Sequence, residues 1–338
     1  MNFSLLTNFT DDLESEWNAL LDETVTHVPF LRYEYLRIWW ETRGGGEWPD
    51  AQLALITARQ DGWLIGGAPL FYTPDHQGRP SLLLVGSIEI SDYLDLLVRP
   101  GDLQPFLNNL LPCLETLPLP EWKALDLYNL LETSPTLPAL EAAAKLHNRT
   151  YEVERLQHSP YIPLPGDWET YLAGIDKKQR HEIRRKMRRA EESGVPLHWY
   201  ILQDKDKIHE EIGALLDLMV QDEEKAAFMT PAMRDQMYKS IQCAFEAGCL
   251  NLAFLEINGE KAAAYLSFDY LNRLWVYNSG LNRKFNEFSP GWVLLGYLLR
   301  WANEQKYEEF DFMRGDEDYK YRFGAKDRFI VRATVSSS

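Results

Sequence analysis

The stretch Phe310-Asp311-Phe312-Met313-Arg314-Gly315-Asp316-Glu317-Asp318-Tyr319-Lys320-Tyr321-Arg322-Phe323-Gly324 crowds carboxylates, cations and phenols into a short length of chain. Such a set can move protons and steady charge during a group transfer. Asp316 or Glu317 can take the proton of an amine or hydroxyl nucleophile. Lys320 can stabilise charge growing on a carbonyl oxygen, and Tyr319 and Tyr321 are weaker candidates for protonating a leaving group, since either suits core packing equally well. Gly315 is the natural turn after a strand ending near Met313, and ligands of α/β sheets commonly sit beyond strand carboxyl ends. A charged surface turn has much the same composition, although the alternating aromatics argue against full exposure.

Two further segments can hold a ligand. In Phe288-Ser289-Pro290-Gly291-Trp292, Ser289 is a suitable N-cap, Pro290 fits the first helical position, and Gly291 leaves the backbone open. Free N–H groups at such a start, aided by the helix dipole, can bind phosphate, which makes Ser289, Gly291 and Trp292 the candidate donor contacts. The same residues also suit a purely structural helix. The segment Lys177 to Arg189 carries eight basic residues against one acid, Glu182, in a chain of net charge −16. Its thin apolar stripe of Ile183, Met187 and Ala190 suits one buried helix face. The rest, Arg184 and Arg185 included, faces water, the acidic surface of the fold itself, or an anion such as a carrier phosphate, tRNA or anionic lipid.

Other chemistries find little support. The three cysteines, Cys113, Cys243 and Cys249, form no CxxC pair, and the seven histidines show no HxxxH or HExxH spacing, so no metal site or disulfide framework is expected. No GxSxG motif is present, which favours direct transfer over a covalent enzyme intermediate. An acidic chain is not a general nucleic-acid binder. Neither a signal sequence nor a membrane span is visible, and a cytoplasmic location is expected.

The elements that must position these residues follow from periodicity. The length of 338 residues suits about two domains. Helices are expected over 11–23 and 33–42, then strands over 53–58, 63–72, 81–85 and 93–98, a helix over 103–117 and a strand over 124–128. A helix over 137–146 and a strand over 151–157 follow. Pro160, Pro163 and Pro165 mark a crossing between lobes at 158/159. Helices over 168–193, 207–222 and 232–247 lead to strands over 252–257, 261–270 and 274–279, a helix over 290–303 and a strand over 309–313. The order strand, tight turn, strand, strand, helix, strand thus occurs twice, around 51–130 and 250–335, and is consistent with a duplicated unit.

The chain resembles the CelD-type, FemAB-related branch of the GNAT acyltransferase superfamily. The resemblance is carried by Trp63-Leu64-Ile65-Gly66-Gly67-Ala68-Pro69-Leu70, by Ser91-Asp92-Tyr93-Leu94-Asp95, by the basic helix 177–189 and above all by the Phe310 to Gly324 stretch. It implies an α/β (α+β mixed) fold of two GNAT-like lobes, 1–158 and 159–338, each a mixed, mostly antiparallel sheet flanked by helices. It further implies transfer of an acyl or aminoacyl group to an amine or hydroxyl acceptor, such as a sugar or an envelope precursor, with no permanently bound cofactor. Acyl-CoA and aminoacyl-tRNA are the usual donors of the group, and acyl-CoA is the leading expectation here. Where ordinary GNAT enzymes carry a Gln/Arg-x-x-Gly-x-Gly/Ala loop, this chain has Asn286-Glu287-Phe288-Ser289-Pro290-Gly291, which keeps both donors in view. The working cleft is expected near the second lobe and the lobe junction, with Asp92 and Tyr93 of the first lobe as the fallback. A non-catalytic scaffold on the same fold is the remaining alternative.

Overall fold

The computed structural model describes residues 1–336 and divides into two compact units, one of residues 1–157 with the chain from Phe329 onward, the other of residues 158–328.

In the first unit β1 (Asn2–Leu6) leads to α1 (Asp11–Leu21), α2 (Tyr33–Glu41) and a turn of helix α3 (Arg43–Gly46). Strands β2 (Gln52–Gln60), β3 (Trp63–Pro74), β4 (Pro80–Leu84) and the two-residue β5 (Leu97–Val98) follow, then α4 (Leu103–Thr116), β6 (Ala124–Leu131), α5 (Thr136–Leu146) and β7 (Thr150–His158). The expected strand over 93–98 is reduced to β5. Asp95, in that segment, is fully buried and accepts the hydroxyls of Thr26, Ser134 and Thr136, which ties the segment down without a ladder.

Gly66 and Gly67 point to opposite faces of β3, and each makes room for a large ring. A Cβ on Gly66 would lie 2.5 Å from the Phe106 ring of α4, and one on Gly67 2.8 Å from the Trp17 ring of α1. Helices therefore cover both faces of the sheet, as the Gly-Gly pair allows.

In the second unit β8 (Tyr161–Pro163) is followed by α6 (Trp168–Gly174), α7 (Lys177–Glu191), β9 (Leu197–Ile201), α8 (Ile208–Met219), α9 (Glu223–Phe228) and α10 (Pro231–Glu246). Then come β10 (Leu250–Ile257), β11 (Glu260–Tyr270), β12 (Arg273–Leu281), α11 (Pro290–Glu304), β13 (Glu309–Asp311) and α12 (Asp318–Arg322). Asp176 caps α7 by accepting the N–H groups of Lys178 and Gln179, and Thr230 caps α10. The sheet order is β8-β13-β12-β11-β10-β9. Its core joins Ile183 and Met187 of α7 with Val293, Leu294, Leu298 and the inward faces of β10, β11 and β12.

The two units share a connection. In each, an antiparallel hairpin and third strand are followed by a helix and a strand parallel to that third strand: β4 with β6 across α4, and β12 with β13 across α11. The last strand departs from expectation. β14 (Phe329–Ser336) was assigned with the second lobe, but it pairs with β6 and lies between β6 and β7 in the first sheet, order β1-β2-β3-β4-β6-β14-β7 with β5 on β3. Its alternating pattern suits either sheet. Asp126 decides the partner, because Arg332 of β14 donates to it at 2.7 and 2.5 Å. No helix among the described residues is long and apolar enough to cross a membrane.

α8 lies close on β12 at Gly280. A Cβ there would stand 2.6 Å from Leu218 Cβ and 2.8 Å from the backbone of Leu218 and Met219. Gly280→Ala is therefore expected to cost about 1–3 kcal/mol in urea denaturation, since backbone cannot yield as a side chain does. An unchanged midpoint would mean that α8 stands off the strand.

Candidate active site

Strand β12 outruns its parallel partner. β13 meets it only where Arg273, Leu274 and Trp275 face Glu309, Phe310 and Asp311, while β12 runs on to Leu281 with β11 still on its other side. Beyond Trp275 the sheet splits, and among the described residues one edge of β12 has no strand beside it. At the split Leu266 faces Asn278 but Ser267 faces Val276, so Tyr277 is the extra residue of a bulge. Bulges re-aim side chains and recur next to functional sites.

Lys225 of α9 reaches this part of β12. Its Nζ donates to Asn278 Oδ1 at 2.8 Å and to Ser279 O at 2.6 Å, and no carboxylate touches it among the described residues. Burial lowers the pKa of this ammonium, and the charges of Asp222 and Glu317 oppose the shift. A hollow of about 200 Å³ opens beside it, lined by Asp222, Lys225, Ser279, Gly280 and Arg283.

The acid-rich turn supplies the other half. After β13 the chain turns at Gly315, φ +105°, where a Cβ would lie 2.5 Å from Glu317 Oε2 and 3.1 Å from Lys320 Nζ. Lys320 is 2% exposed, and its Nζ donates to Arg314 O at 2.6 Å and Gly315 O at 3.1 Å and pairs with Glu317 Oε2 at 2.8 Å. An ammonium has three donors, and all three serve the turn itself. Lys320 was expected to stabilise the transferring carbonyl; its position is that of a brace under the loop. Glu317 is 57% exposed at its side chain. Asp316 is exposed and makes no ion pair or hydrogen bond among the described residues, while Asp318 is paired with Arg322.

The charge of Glu317 is felt at Lys225, Tyr265 and Tyr319. Tyr265, opposite Ser279 on β11, is 5% exposed, and its hydroxyl has no partner among the described residues. Burial raises its pKa well above the ordinary phenol value, and the neighbouring Tyr319 and Glu317 add to this. Tyr319 is raised by burial and then by Glu317. Both phenols therefore keep their protons. Tyr321 points its hydroxyl at Asp327, 2.7 Å away. The site thus gathers Glu317 and Tyr319, read from the sequence, with Lys225 and Tyr265, which sequence reasoning missed. Tyr265 sits in an apolar strand run and reads as core. Lys225 follows Asp222-Glu223-Glu224 and reads as a solvated helix face.

The start of α11 differs from its expected form. Ser289 adopts the left-handed conformation, φ 52°, and its side chain makes no capping bond, so among the described residues the first N–H groups of the helix are not taken by a cap. The hydroxyl cannot reach back from this backbone geometry. Gly291 is closed over by Leu281, whose Cδ2 would lie 2.7 Å from an added Cβ. Trp292 stacks beneath Lys186 Nζ, 4.0 Å from its ring centroid, and its indole N–H is buried without a partner. α7 packs on α11 here, with Met187 against Gly296. A groove of about 530 Å³ runs beside this start, lined by Arg185, Arg188, Arg189, Ser193 and Phe288. Arg184 pairs with Glu169 and Arg185 with Glu182, while Lys177, Lys178 and Arg189 have no acidic partner among the described residues. The structure therefore brings the basic helix and the α11 start together. Asp92 and Tyr93 of the first unit are buried, 6% and 0% exposed.

Residues 177–321 match the profile of the acetyltransferase (GNAT) domain family. The second unit is a GNAT domain. The match lies within the second unit, and the chain as a whole is similar in fold to FemX, which superposes with a TM-score of 0.66 at 12% identity over 98% of this chain and 97% of that one. L-PGS from Bacillus licheniformis superposes with a TM-score of 0.58 at 15% identity, covering 94% and 90%. The C-terminal domain of a candidate lysylphosphatidylglycerol synthetase from Agrobacterium fabrum gives 0.57 at 11% identity, covering 96% and 91%. At these identities the likeness is one of fold. No curated protein matches the sequence. The split between β12 and β13 and the acid-rich turn after β13 lie within the matched residues as far as Tyr321.

Proposed function

We propose that this GNAT transferase moves an acyl group from an activated thioester or ester to an amine or hydroxyl acceptor, by direct attack at the split of the second sheet. The observation that carries the reading is the convergence of one exposed carboxylate, one buried and one half-buried phenol that keep their protons, and one ammonium without a carboxylate partner among the described residues. The acceptor heteroatom attacks the acyl carbon and gives its proton to Glu317. The bond to the donor breaks, its electron pair leaving on the donor's sulfur or oxygen, and Tyr319 or Tyr265 supplies a hydrogen bond or proton to that atom. Lys225 offers positive charge to the carbonyl oxygen as charge builds there. Asp316 is the second candidate base, exposed and without an ion pair among the described residues.

Two donor readings follow. An acyl-CoA places its pyrophosphate at Ser289, Gly291 and Trp292, with Arg184 and Arg185 on the adjacent helix. An aminoacyl ester of tRNA uses the outer face of α7 instead. The phenols favour the ester: an alkoxide leaving group needs a proton from an acid of comparably high pKa, whereas a thiolate leaves unaided. The name of one structural relative, a lysylphosphatidylglycerol synthetase, is in keeping with an aminoacyl cargo.

Calorimetry separates these readings. If acetyl-CoA is the donor, it binds the wild type, and Gly291→Glu weakens it at least about tenfold by opposing the phosphates at the helix start. If tRNA is the donor, log Kd changes linearly with log salt, and neutralising Arg184, Arg185, Arg188 and Arg189 together lowers that slope by about 3. Binding of neither donor overturns the acyl-transfer reading and leaves the non-catalytic scaffold.

A further inference from the structure

The second sheet ends in two unlike edges. One is β8, bounded and interrupted by Pro160, Pro163 and Pro165, residues that cannot donate to an added strand. The other is β9, whose sequence Leu197-His198-Trp199-Tyr200-Ile201 holds no proline, lysine or glycine. β9 pairs with β10 in unbroken register, Leu197 opposite Ile257 through Ile201 opposite Ala253, so no bulge twists the edge away. An edge of this kind is a template for another strand.

The direction of its free backbone groups can be read off. Leu202 N donates to Leu252 O, and Asn258 N donates to Pro196 O. In an antiparallel pair, hydrogen-bonded residues alternate, so residues 198, 200 and 202 turn their N–H and C=O groups, and Pro196 its C=O, toward β10. Leu197, Trp199 and Ile201 turn theirs outward, where they meet no partner among the described residues. The side chains of the same three residues lie on the α11 face of the sheet, half-buried against the core. Beside them runs a groove of about 520 Å³, walled by Trp199 and by Tyr297 and Trp301 of α11, with Glu191, Arg300 and Glu304 at its charged positions. Trp199 stacks on Tyr297 with centroids 5.7 Å apart.

We infer that β9 is the pairing edge for a second copy of this chain, the two strands running antiparallel about a two-fold axis at Trp199. A two-fold contact requires a surface complementary to itself, and β9 meets that requirement at two levels. Its outward backbone groups come in the order 197, 199, 201, which sets Leu197 against Ile201 of the second copy and Trp199 against its equivalent, each as a hydrogen-bonded pair. Its apolar side chains fall on the same face in both copies, so Leu197, Trp199 and Ile201 continue one another's surface and roof the two grooves. Arg300 is paired with Glu304 at 2.9 Å within each groove, which leaves Glu191 as the one uncompensated charge there. The two six-stranded sheets become one continuous sheet.

Sedimentation velocity on the full chain over about a hundredfold range of concentration tests this, with amide hydrogen exchange at both ends of the range. The expected result is a shift from 39.3 kDa to twice that mass, with the amides of Leu197, Trp199 and Ile201 protected only in the heavier species. Leu197→Pro removes one outward N–H and leaves the ladder to β10 intact. Trp199→Lys sets two ammonium groups against each other at the axis. Both variants should stay at the monomer mass while remaining folded by far-ultraviolet circular dichroism at low concentration, at the lower melting temperature that the loss of a half-buried Leu197 or Trp199 brings. A wild type that remains monomeric throughout overturns the inference, as does a dimer that survives both substitutions. Protection of the three amides in a monomer would assign the edge to a different strand and overturns it equally.

Discussion

Glu317→Gln is expected to lower turnover about a hundredfold or more while leaving the melting temperature close to wild type. The side chain is more than half exposed, and its single close partner, Lys320, keeps two carbonyl acceptors when the carboxylate becomes an amide. The amide cannot take a proton from an attacking amine or hydroxyl, so the loss appears in the chemical step and not in folding. Two outcomes would argue otherwise. Near-wild-type turnover in Glu317→Gln together with a deep loss in Asp316→Asn would transfer the base to Asp316. Near-wild-type turnover in both would move the chemistry out of this turn.

Lys320→Met is expected to behave differently, lowering stability and turnover together. The buried ammonium satisfies Arg314 O and Gly315 O, and a methionine of similar length leaves both carbonyls without that donor. A buried polar group left unsatisfied costs about 1–3 kcal/mol, so the pair predicts a loss of about 2–6 kcal/mol, read as a lower denaturation midpoint. Discounting the ion pair itself is appropriate, because its partner Glu317 is exposed. Turnover should fall because the turn that carries Glu317 and Tyr319 loses its brace. A variant as stable as wild type but inactive would restore Lys320 to a direct part in the reaction. Lys320→Arg separates these further: a bulkier cation in a 2% exposed position should still lose stability.

These two side chains show where sequence and structure part. Both lie in the one stretch that reads as chemistry, and the turn at Gly315 follows from the residue type, since φ is +105° there. Their roles differ by burial, which composition does not display: Glu317 faces water and Lys320, three residues on, is enclosed. The hairpins of both sheets, α4 and α11 are legible because alternating or helical apolar periods bound by Asp61-Gly62, Pro100-Gly101 and Asn258-Gly259 leave little choice. β9, β8 and α12 are not legible, being short and flanked by polar residues that blur the period. β14 reads as a chain end with mild alternation, and its return to the first sheet is a long-range choice made by Asp126 and Arg332. Ser289 is the reverse case: the residue type advertises an N-cap, and the left-handed backbone withholds it. Lys225 and Tyr265 enter the site only because β12 outlasts β13, a feature of pairing length that local sequence does not encode.

The reading stands or falls on where the reacting carbonyl sits. A crystal structure of the full chain with a hydrolysis-resistant acyl donor, the thioether analogue of acetyl-CoA or a non-hydrolysable aminoacyl adenosine, would locate that atom directly. The account predicts the acyl group along β12 between Asn278 and Leu281, its oxygen within hydrogen-bond reach of Lys225 and its carbon open to an acceptor whose proton can pass to Glu317. Donor density with its acyl end elsewhere, for example against Asp92 and Tyr93 of the first unit, would contradict it.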